Sequence, residues 1–462
     1  MGGHRMKYLL KNGRIVSSAG WYEADLFLEG EKITQLGQHL PARDAQVIDV
    51  SGKYLFPGFV DTHTHFDLDA GDFHTADDFF SGTQAALAGG TTSVLDFTTQ
   101  EKGETLKQAL ENWHRLAEGK ACCDYGFHMS VTDWNPAVRM ELKDMTRLGV
   151  TSYKLYMAYD NLMVNDREIL EILEAVEEEK GIVGVHCENP DIIKRITARL
   201  KQEEKNSPGL HPKSRPPEAE AEAVHRLLTL AKLAGTPVSL VHLSSFLGLR
   251  ELRRAREEGQ KIFAETCPQY LVLEDSLYGK PGFAGAAYVC APPLRKQRDV
   301  ESLWEAVARG EFDMVGTDHC SFHMDSQKTR GISDFTRIPG GVPGVEHRPA
   351  LFYHFGINSG RTGVEQMCRL LSERPARLFG MYPKKGVLAP GSDADVVVWN
   401  PEAEWRVTAT DQVQKVDYTP YEGMKLKGRA EKVFLRGRLA AENGRICQET
   451  KGKYLFRGPR QL

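Results

Sequence analysis

The chain has 462 residues but only eight cysteines, at 122, 123, 187, 267, 290, 320, 368 and 447, and no two of them form a C-x-x-C pair. That scatter argues against a zinc ribbon and against a disulfide-stapled scaffold; the expectation is mostly buried, reduced thiols in a cytoplasmic protein. Long apolar runs are missing too, and no window approaches the ~18 uninterrupted apolar residues of a membrane-spanning helix. The opening stretch, MGGHRMKYLLKNGRIV, has neither a long apolar segment nor a small-residue cleavage pattern, which argues against a secretory signal. Charge of one sign is absent: 59 Lys and Arg stand against 63 Asp and Glu, a net of −4. That leaves no electrostatic case for nucleic acid or an anionic membrane as partner. No glycine-rich G-x-G-x-x-G follows an early strand, which counts against a dinucleotide-binding sheet.

What is present is enough apolar residue, 41 %, for a substantial core in a chain longer than one ordinary compact unit. The two ends share a texture of short strands and turns. KYLLKNGRIV, ADLFLEGEKITQLG and AQVIDVSGKYLFPG fill residues 7–56, with Asn-Gly and Glu-Gly pairs where hairpins would turn. GVLAPGSDADVVVWNP, EWRVTAT and AEKVFLRGRLAAENGRI continue that texture after residue 385. The likeness predicts one small β-sandwich domain assembled from residues 1–57 and 385–462. Residues 58–384 instead alternate strand with helix. Strands are expected at 58–65, 91–98, 125–131, 151–157, 182–188, 237–245, 261–269 and 312–320, with helical spacing in stretches such as DREILEILEAVEEEKG between them. Eight apolar strands alternating with helices are the sequence form of a (β/α)8 barrel; an open doubly wound sheet is the alternative.

LFPGFVDTHTHFDLDAG places His63 and His65 one residue apart at the end of an apolar strand. Side chains at i and i+2 share a face, so two imidazoles project side by side, an arrangement that suits a metal ion. Lys154, His186, His242 and Asp318 stand at or near the C-terminal ends of the fourth, fifth, sixth and eighth strands, the catalytic face of such a barrel. One histidine at a strand end is usually an ordinary hydrogen-bonded residue. Four histidines, a lysine and an aspartate converging on one rim make that explanation much weaker. Lys154 lies in an apolar strand, GVTSYKLYMAY, where an uncompensated ammonium is costly. Two readings are open: a lysine that snorkels or pairs with a carboxylate such as Asp318, or an amine that has reacted with CO2 to become an anionic ligand. Strand alternation turns His319, Cys187 and Cys320 away from the mouth. His74, His323 and His347 fall in loop-like stretches and read as solvated or interfacial.

GFVDTHTHFD, TADDFFSGTQAALAGGTTSVLDF, SYKLYMAY, VHCEN, LVHLSS, GTDHCSF and IPGGVPGVE together resemble the cyclic amidohydrolases, and more narrowly the D-hydantoinase and dihydropyrimidinase group, in register from about residue 8 to beyond residue 400. The resemblance implies a binuclear site with zinc as the expected ion. His63 and His65 would bind the more buried ion, His186 and His242 the more exposed one, carboxylated Lys154 would bridge them, and Asp318 would complete the buried ion's set. It also implies a hydroxide shared by the two ions as nucleophile, Asp318 as proton carrier, and Tyr159 as the group polarising the substrate carbonyl. Backbone groups near Cys290 and Gly340 would hold the ring amide. Many relatives have Asn where this chain has Gly340, a change expected to alter loop stiffness more than chemistry.

The implied reaction is ring opening of a hydantoin or dihydropyrimidine to an N-carbamoyl amino acid, carried out by a homotetramer. Phe66 stands where dihydroorotase-like chains carry Arg after H-x-H, which argues against that substrate. Phe66, Leu68, Phe73, Leu162 and Met163 are expected to line an apolar pocket for the ring substituent. Asp67, Asp69 and Asp72 favour a more polar ring and keep allantoinase open. A non-catalytic scaffold of this fold is disfavoured because all six ligand positions are filled, and a mononuclear deaminase because such chains usually lack the fourth-strand lysine.

Overall fold

The computed structural model describes residues 6–69, 71, 73–202 and 206–462. Eight strands follow one another in chain order as a parallel sheet: Phe59–Thr64, Thr91–Thr99, Asp124–Ser130, Ser152–Tyr156, Ile182–His186, Val238–Leu240, Ile262–Thr266 and Met314–Val315. Each overlaps a segment expected from the sequence, and helices intervene where the 3.6-residue spacing placed them. Helix Asp166–Glu178 shows why. Asn165 and Glu168 form a capping box at its start, and Ile169, Ile172, Leu173 and Val176 make the buried stripe behind it.

Closure of the barrel is made by hydrogen bonds between the first strand and the chain beyond the eighth. His65 N donates to His319 O at 2.8 Å, and the Thr317 hydroxyl donates to His63 O at 3.0 Å. Arg348, fully buried, reaches across the seam, donating to Val60 O at 2.8 Å and Val315 O at 2.9 Å. The eighth strand is only two residues long, so Asp318 lies outside it, at φ +53°.

Both chain ends build a separate nine-stranded, mostly antiparallel sheet. Strands Lys7–Ser17, Gly20–Glu29, Lys32–Gly37, Gln46–Asp49 and Tyr54–Pro57 come from one end, and Val396–Arg406, Lys425–Leu435, Arg438–Glu442 and Arg445–Ile446 from the other; Tyr54–Pro57 pairs with Val396–Arg406. The sheet encloses its own core, including Leu10, Ile15, Leu26, Leu55, Val396 and Phe434. Glu29-Gly30 does mark a hairpin, with Gly30 at φ +58°. Asn12-Gly13 does not. Asn12 sits at φ +62° inside one continuous strand, its N–H bonded to Asp25 Oδ1 at 2.9 Å, and the pairing slips there as a β-bulge. Leu9 and Leu10 before it and Ile15 and Val16 after it are all buried, so one long strand satisfies both apolar runs.

Barrel and sheet are joined by a buried ionic cluster. Lys385 Nζ lies 2.6 Å from Asp124 Oδ2, 2.5 Å from Asp395 Oδ2 and 3.0 Å from Asp393 Oδ2, and Arg436 also pairs with Asp124. Beyond the sheet the chain returns to the barrel: Leu455 N donates to Tyr125 O at 2.6 Å and Arg457 to Ser152 Oγ at 2.8 Å. Among the described residues no helix is long and apolar enough to cross a membrane.

Candidate active site

His63 is buried near the end of the first strand and His65 follows just beyond it, with ring centroids 5.3 Å apart. Each Nε2 lies 3.1 Å from the same atom, Asp318 Oδ1. The fifth and sixth strands bring His186 and His242 into contact, His186 Nδ1 being 2.9 Å from His242 Nε2. The His63 and His242 rings are 5.5 Å apart, which joins the two pairs. Lys154 lies among them, its Nζ 5.0 Å from the Phe97 ring centroid and 5.1 Å from that of Tyr156, with no hydrogen bond or ion pair from its ammonium among the described residues. The pairing with Asp318 that would make it an ordinary structural lysine is absent.

Exposure differs within the set, and His63 is 1 % exposed. The His65 and Asp318 side chains are 13 % and 15 % exposed, whereas His186 and His242 are each 3 % exposed. Tyr159 and Arg215 account for part of this cover: the Tyr159 ring centroid is 5.2 Å from that of His186, and Arg215 lies 5.4 Å from the Tyr159 ring.

Two buried carboxylates organise the set from behind, and neither was singled out in the sequence. Glu265, on the seventh strand, accepts from His63 Nδ1 at 2.7 Å and His242 N at 3.1 Å through one oxygen, and from the Thr62 hydroxyl at 2.9 Å through the other. Glu188 stands 2.9 Å from His186 Nε2 and also binds Arg215. A carboxylate on the far nitrogen fixes an imidazole's tautomer and orientation and leaves the near nitrogen free for a metal. The signal was a carboxylate in an apolar strand run, in AETC and VHCEN. Gly316 belongs to the same arrangement: a Cβ there would come within 2.5 Å of Glu265 Oε2 and 3.0 Å of His63 Cβ.

Three site residues hold left-handed backbone that non-glycine residues rarely adopt: Tyr159 at φ +72°, His242 at +39° and Asp318 at +53°. Each such residue costs on the order of 1–3 kcal/mol, and they cluster where side chains must be aimed.

Charges are correspondingly perturbed. Burial disfavours the His63 imidazolium, but Glu265 and Asp318 outweigh it and lift its pKa to about 9. Burial also pulls Lys154 down to about 8, with Asp318 and Glu265 only partly opposing. The Tyr159 phenol is pushed up to about 12 by burial, against the pull of the Arg215 cation. His242 Nδ1 is buried without a hydrogen-bond partner among the described residues, and His63 Nε2 faces only the Asp318 carboxylate, 3.1 Å away. An unpartnered buried imidazole nitrogen, a carboxylate shared by two more imidazoles and a lysine without a counter-ion form a donor set that fits divalent borderline metal ions such as zinc. His63, His65 and Asp318 alone place three donor atoms within 4.8 Å of one another. A second such group, His323, Asp325 and Asp417, is partly exposed, with the His323 and Asp417 side chains 36 % and 30 % exposed, and Asp417 accepts from the backbone of Met324 and Asp325. That group is a loop staple.

A pocket of about 750 Å3 opens above the histidines. His65, Tyr159 and Gly340 reach its wall, and Cys290 stands just behind it, with Ala291 exposed to the cavity. Leu68, Phe73 and Leu162 line it as expected. Phe66 does not: it is fully buried against Phe79 and His319, and Met163 is also off the wall. Asp67 accepts from Phe79 N, whereas Asp69 is on the rim; Asp72 lies outside the described residues. Cys320 lines the pocket after all: it stands two residues beyond Asp318 and so falls on the same side as that residue, and only His319 between them is turned away. His319 is occupied by Asp77 and by the N–H groups of Gly344 and Val345. His347, read as a loop residue, is buried beside Trp405 and Tyr421.

The Amidohydrolase family profile matches residues 54–440. A D-hydantoinase from Geobacillus stearothermophilus is 42 % identical over 455 residues, covering 98 % of this chain and 97 % of that one. A D-phenylhydantoinase from Escherichia coli O1:K1 / APEC is 39 % identical over 464 residues, covering 98 % and 99 %. The crystal structure of a dihydropyrimidinase from Brevibacillus agri NCHU1002 superposes with a TM-score of 0.97 at 41 % identity, covering 99 % of this chain and all of that one. The chain therefore belongs to the amidohydrolase family, as a hydrolase of its hydantoinase and dihydropyrimidinase type.

Proposed function

We propose that the chain opens a cyclic amide or imide of the hydantoin or dihydropyrimidine kind, giving an N-carbamoyl amino acid. One observation carries the reading: four imidazoles, a carboxylate and a buried lysine without a counter-ion meet beneath a deep pocket at the C-terminal mouth of the barrel. Similarity to a D-hydantoinase over nearly the whole chain supports it. In this reading His63, His65 and Asp318 hold one divalent ion, His186 and His242 another, and Lys154 both, as its carbamate. Zinc is the expected ion. Such ions, when bound, polarise a carbonyl and supply a nucleophilic water near neutral pH.

The chain's own groups do the rest. Asp318, kept ionised by its imidazole neighbours despite burial, accepts a proton from the attacking water and delivers it to the leaving ring nitrogen. Tyr159, braced by Arg215, donates its hydroxyl to the oxyanion. Main-chain groups at Cys290 and Gly340 hold the ring amide. One C–N bond breaks and one C–O bond forms, and the water's two protons finish on the ring nitrogen and the new carboxyl group.

Leu68, Phe73, Leu162 and Phe322 suit alkyl or aryl substituents. Allantoin is the second reading, favoured by Asp69, Lys194, Lys201 and Arg337 on the same cavity's wall. The family resemblance extends the reading to a homotetramer. All eight cysteines are free and seven are buried, which agrees with a reducing, cytoplasmic location.

The test is to follow N-carbamoyl product from hydantoin, 5-phenylhydantoin, dihydrouracil and allantoin, with one ring clearly preferred as the expected result. Tyr159→Phe should lower kcat on that ring by about 10²–10³ with metal retained. A metal-replete chain inert on all four would contradict the proposal.

A further inference from the structure

A buried lysine that takes no part in the proposed chemistry stands behind the wall where the ring amide would be held. Lys328, at the start of the short turn Lys328–Gly331, is fully buried and pairs with no carboxylate among the described residues. Its Nζ donates instead to Val289 O at 3.0 Å and Pro339 O at 3.2 Å. Those two carbonyls immediately precede Cys290 and Gly340. Gly341 N also donates to Val289 O, at 3.0 Å, so lysine and backbone together clip the two segments to each other. The carbonyls that follow are fixed as well: His211 Nε2 is 2.7 Å from Cys290 O, and the Tyr270 hydroxyl donates to Pro292 O at 2.7 Å.

Packing alone gives no reason for an ammonium here. Neutral carbonyls do not return the hydration that a buried cation gives up, and an apolar side chain of similar length would fill the space at lower cost. Burial accordingly draws Lys328 down to about 7. What an ammonium offers that methionine does not is several donors at one point, able to set the spacing of two chain segments.

We propose that Lys328 is a positioning residue, whose side-chain nitrogen, donating to both carbonyls, fixes the separation of the 289–290 and 339–340 segments and thereby the fit and ring size of the cyclic amide in the pocket. This rests on the reading of the chain as a cyclic amide hydrolase. Misplacing binding groups by a fraction of an ångström is enough to weaken a site, and Lys328 acts on both segments at once.

Lys328→Met and Lys328→Gln test it, compared with wild type on hydantoin and dihydrouracil, with metal content measured on the same preparations. The expected result is a KM raised roughly tenfold or more, the scale of leaving a buried carbonyl unpaired, with metal content unchanged and a shifted preference between five- and six-membered rings. Unchanged KM and ring preference in an active enzyme would overturn the inference and leave the proposed function standing. Failure of both variants to fold would also overturn it, by making the lysine a fold residue. A wild-type chain inert on both rings would overturn the reading and the inference together.

Discussion

Lys154→Met is expected to give a folded chain at least as stable as metal-free wild type, with most of its metal lost and ring opening reduced by more than ~100-fold, beyond what loss of an outer partner costs. The two halves of that expectation have one cause. Lys154 is 1 % exposed and its ammonium has no hydrogen bond or ion pair among the described residues, so as a cation it destabilises the apoprotein. Methionine matches its length and packs well against the Phe97 and Tyr156 rings that already flank it. As a carbamate the same side chain becomes an anionic ligand amid four imidazoles, and methionine cannot replace that. Thermal melting of the two apoproteins, elemental analysis and the ring-opening assay read the three parts separately. A variant that kept both metal and activity would remove Lys154 from the site.

The same substitution at Lys385 should do the opposite. Lys385→Met is expected to cost on the order of 3–5 kcal/mol of stability, because the cation it removes is the common partner of Asp124, Asp393 and Asp395. Those carboxylates are buried where barrel and terminal sheet meet, and leaving them without their lysine is the costly event. The denaturant midpoint should fall accordingly, while metal content and kcat of the protein that remains folded stay near wild type, since the cluster touches none of the proposed ligands. A midpoint within experimental error of wild type would show that the cluster is not what joins the two parts.

Lys154, Lys328 and Lys385 are all at most 3 % exposed, yet they meet respectively aromatic rings, carbonyls and carboxylates. The sequence distinguishes them poorly. Lys154 was legible because its strand is apolar and its register in the barrel could be counted. Lys328 sits in a polar stretch, SQKTRG, that reads as surface, and only the folded chain carries it beneath Val289 and Pro339.

The barrel was readable for the reason Lys154 was: buried parallel strands are nearly continuous apolar runs, and helices between them keep their own period. His63, His65, His186, His242 and Asp318 came with the strand ends. Cys320 was placed on the wrong side although it stands two residues from Asp318, the spacing that shares a face. Glu265 and Glu188 escaped because a carboxylate behind a histidine is recognisable only once both are placed. Local turn chemistry was ambiguous as well. Asn443-Gly444 makes a tight hairpin between Arg438–Glu442 and Arg445–Ile446, whereas Asn12-Gly13, also followed by Arg-Ile, is a bulge within a strand. The difference lies in the apolar residues on both sides of Asn12-Gly13, which one strand buries together.

Metal content per chain, taken on one preparation before and after chelation and matched to its ring-opening rate, decides whether the four histidines, Lys154 and Asp318 hold two ions. Near two divalent ions per chain are expected, with loss of activity as they are withdrawn and recovery when zinc is returned. Full ring-opening activity in a chain stripped of metal would contradict that expectation.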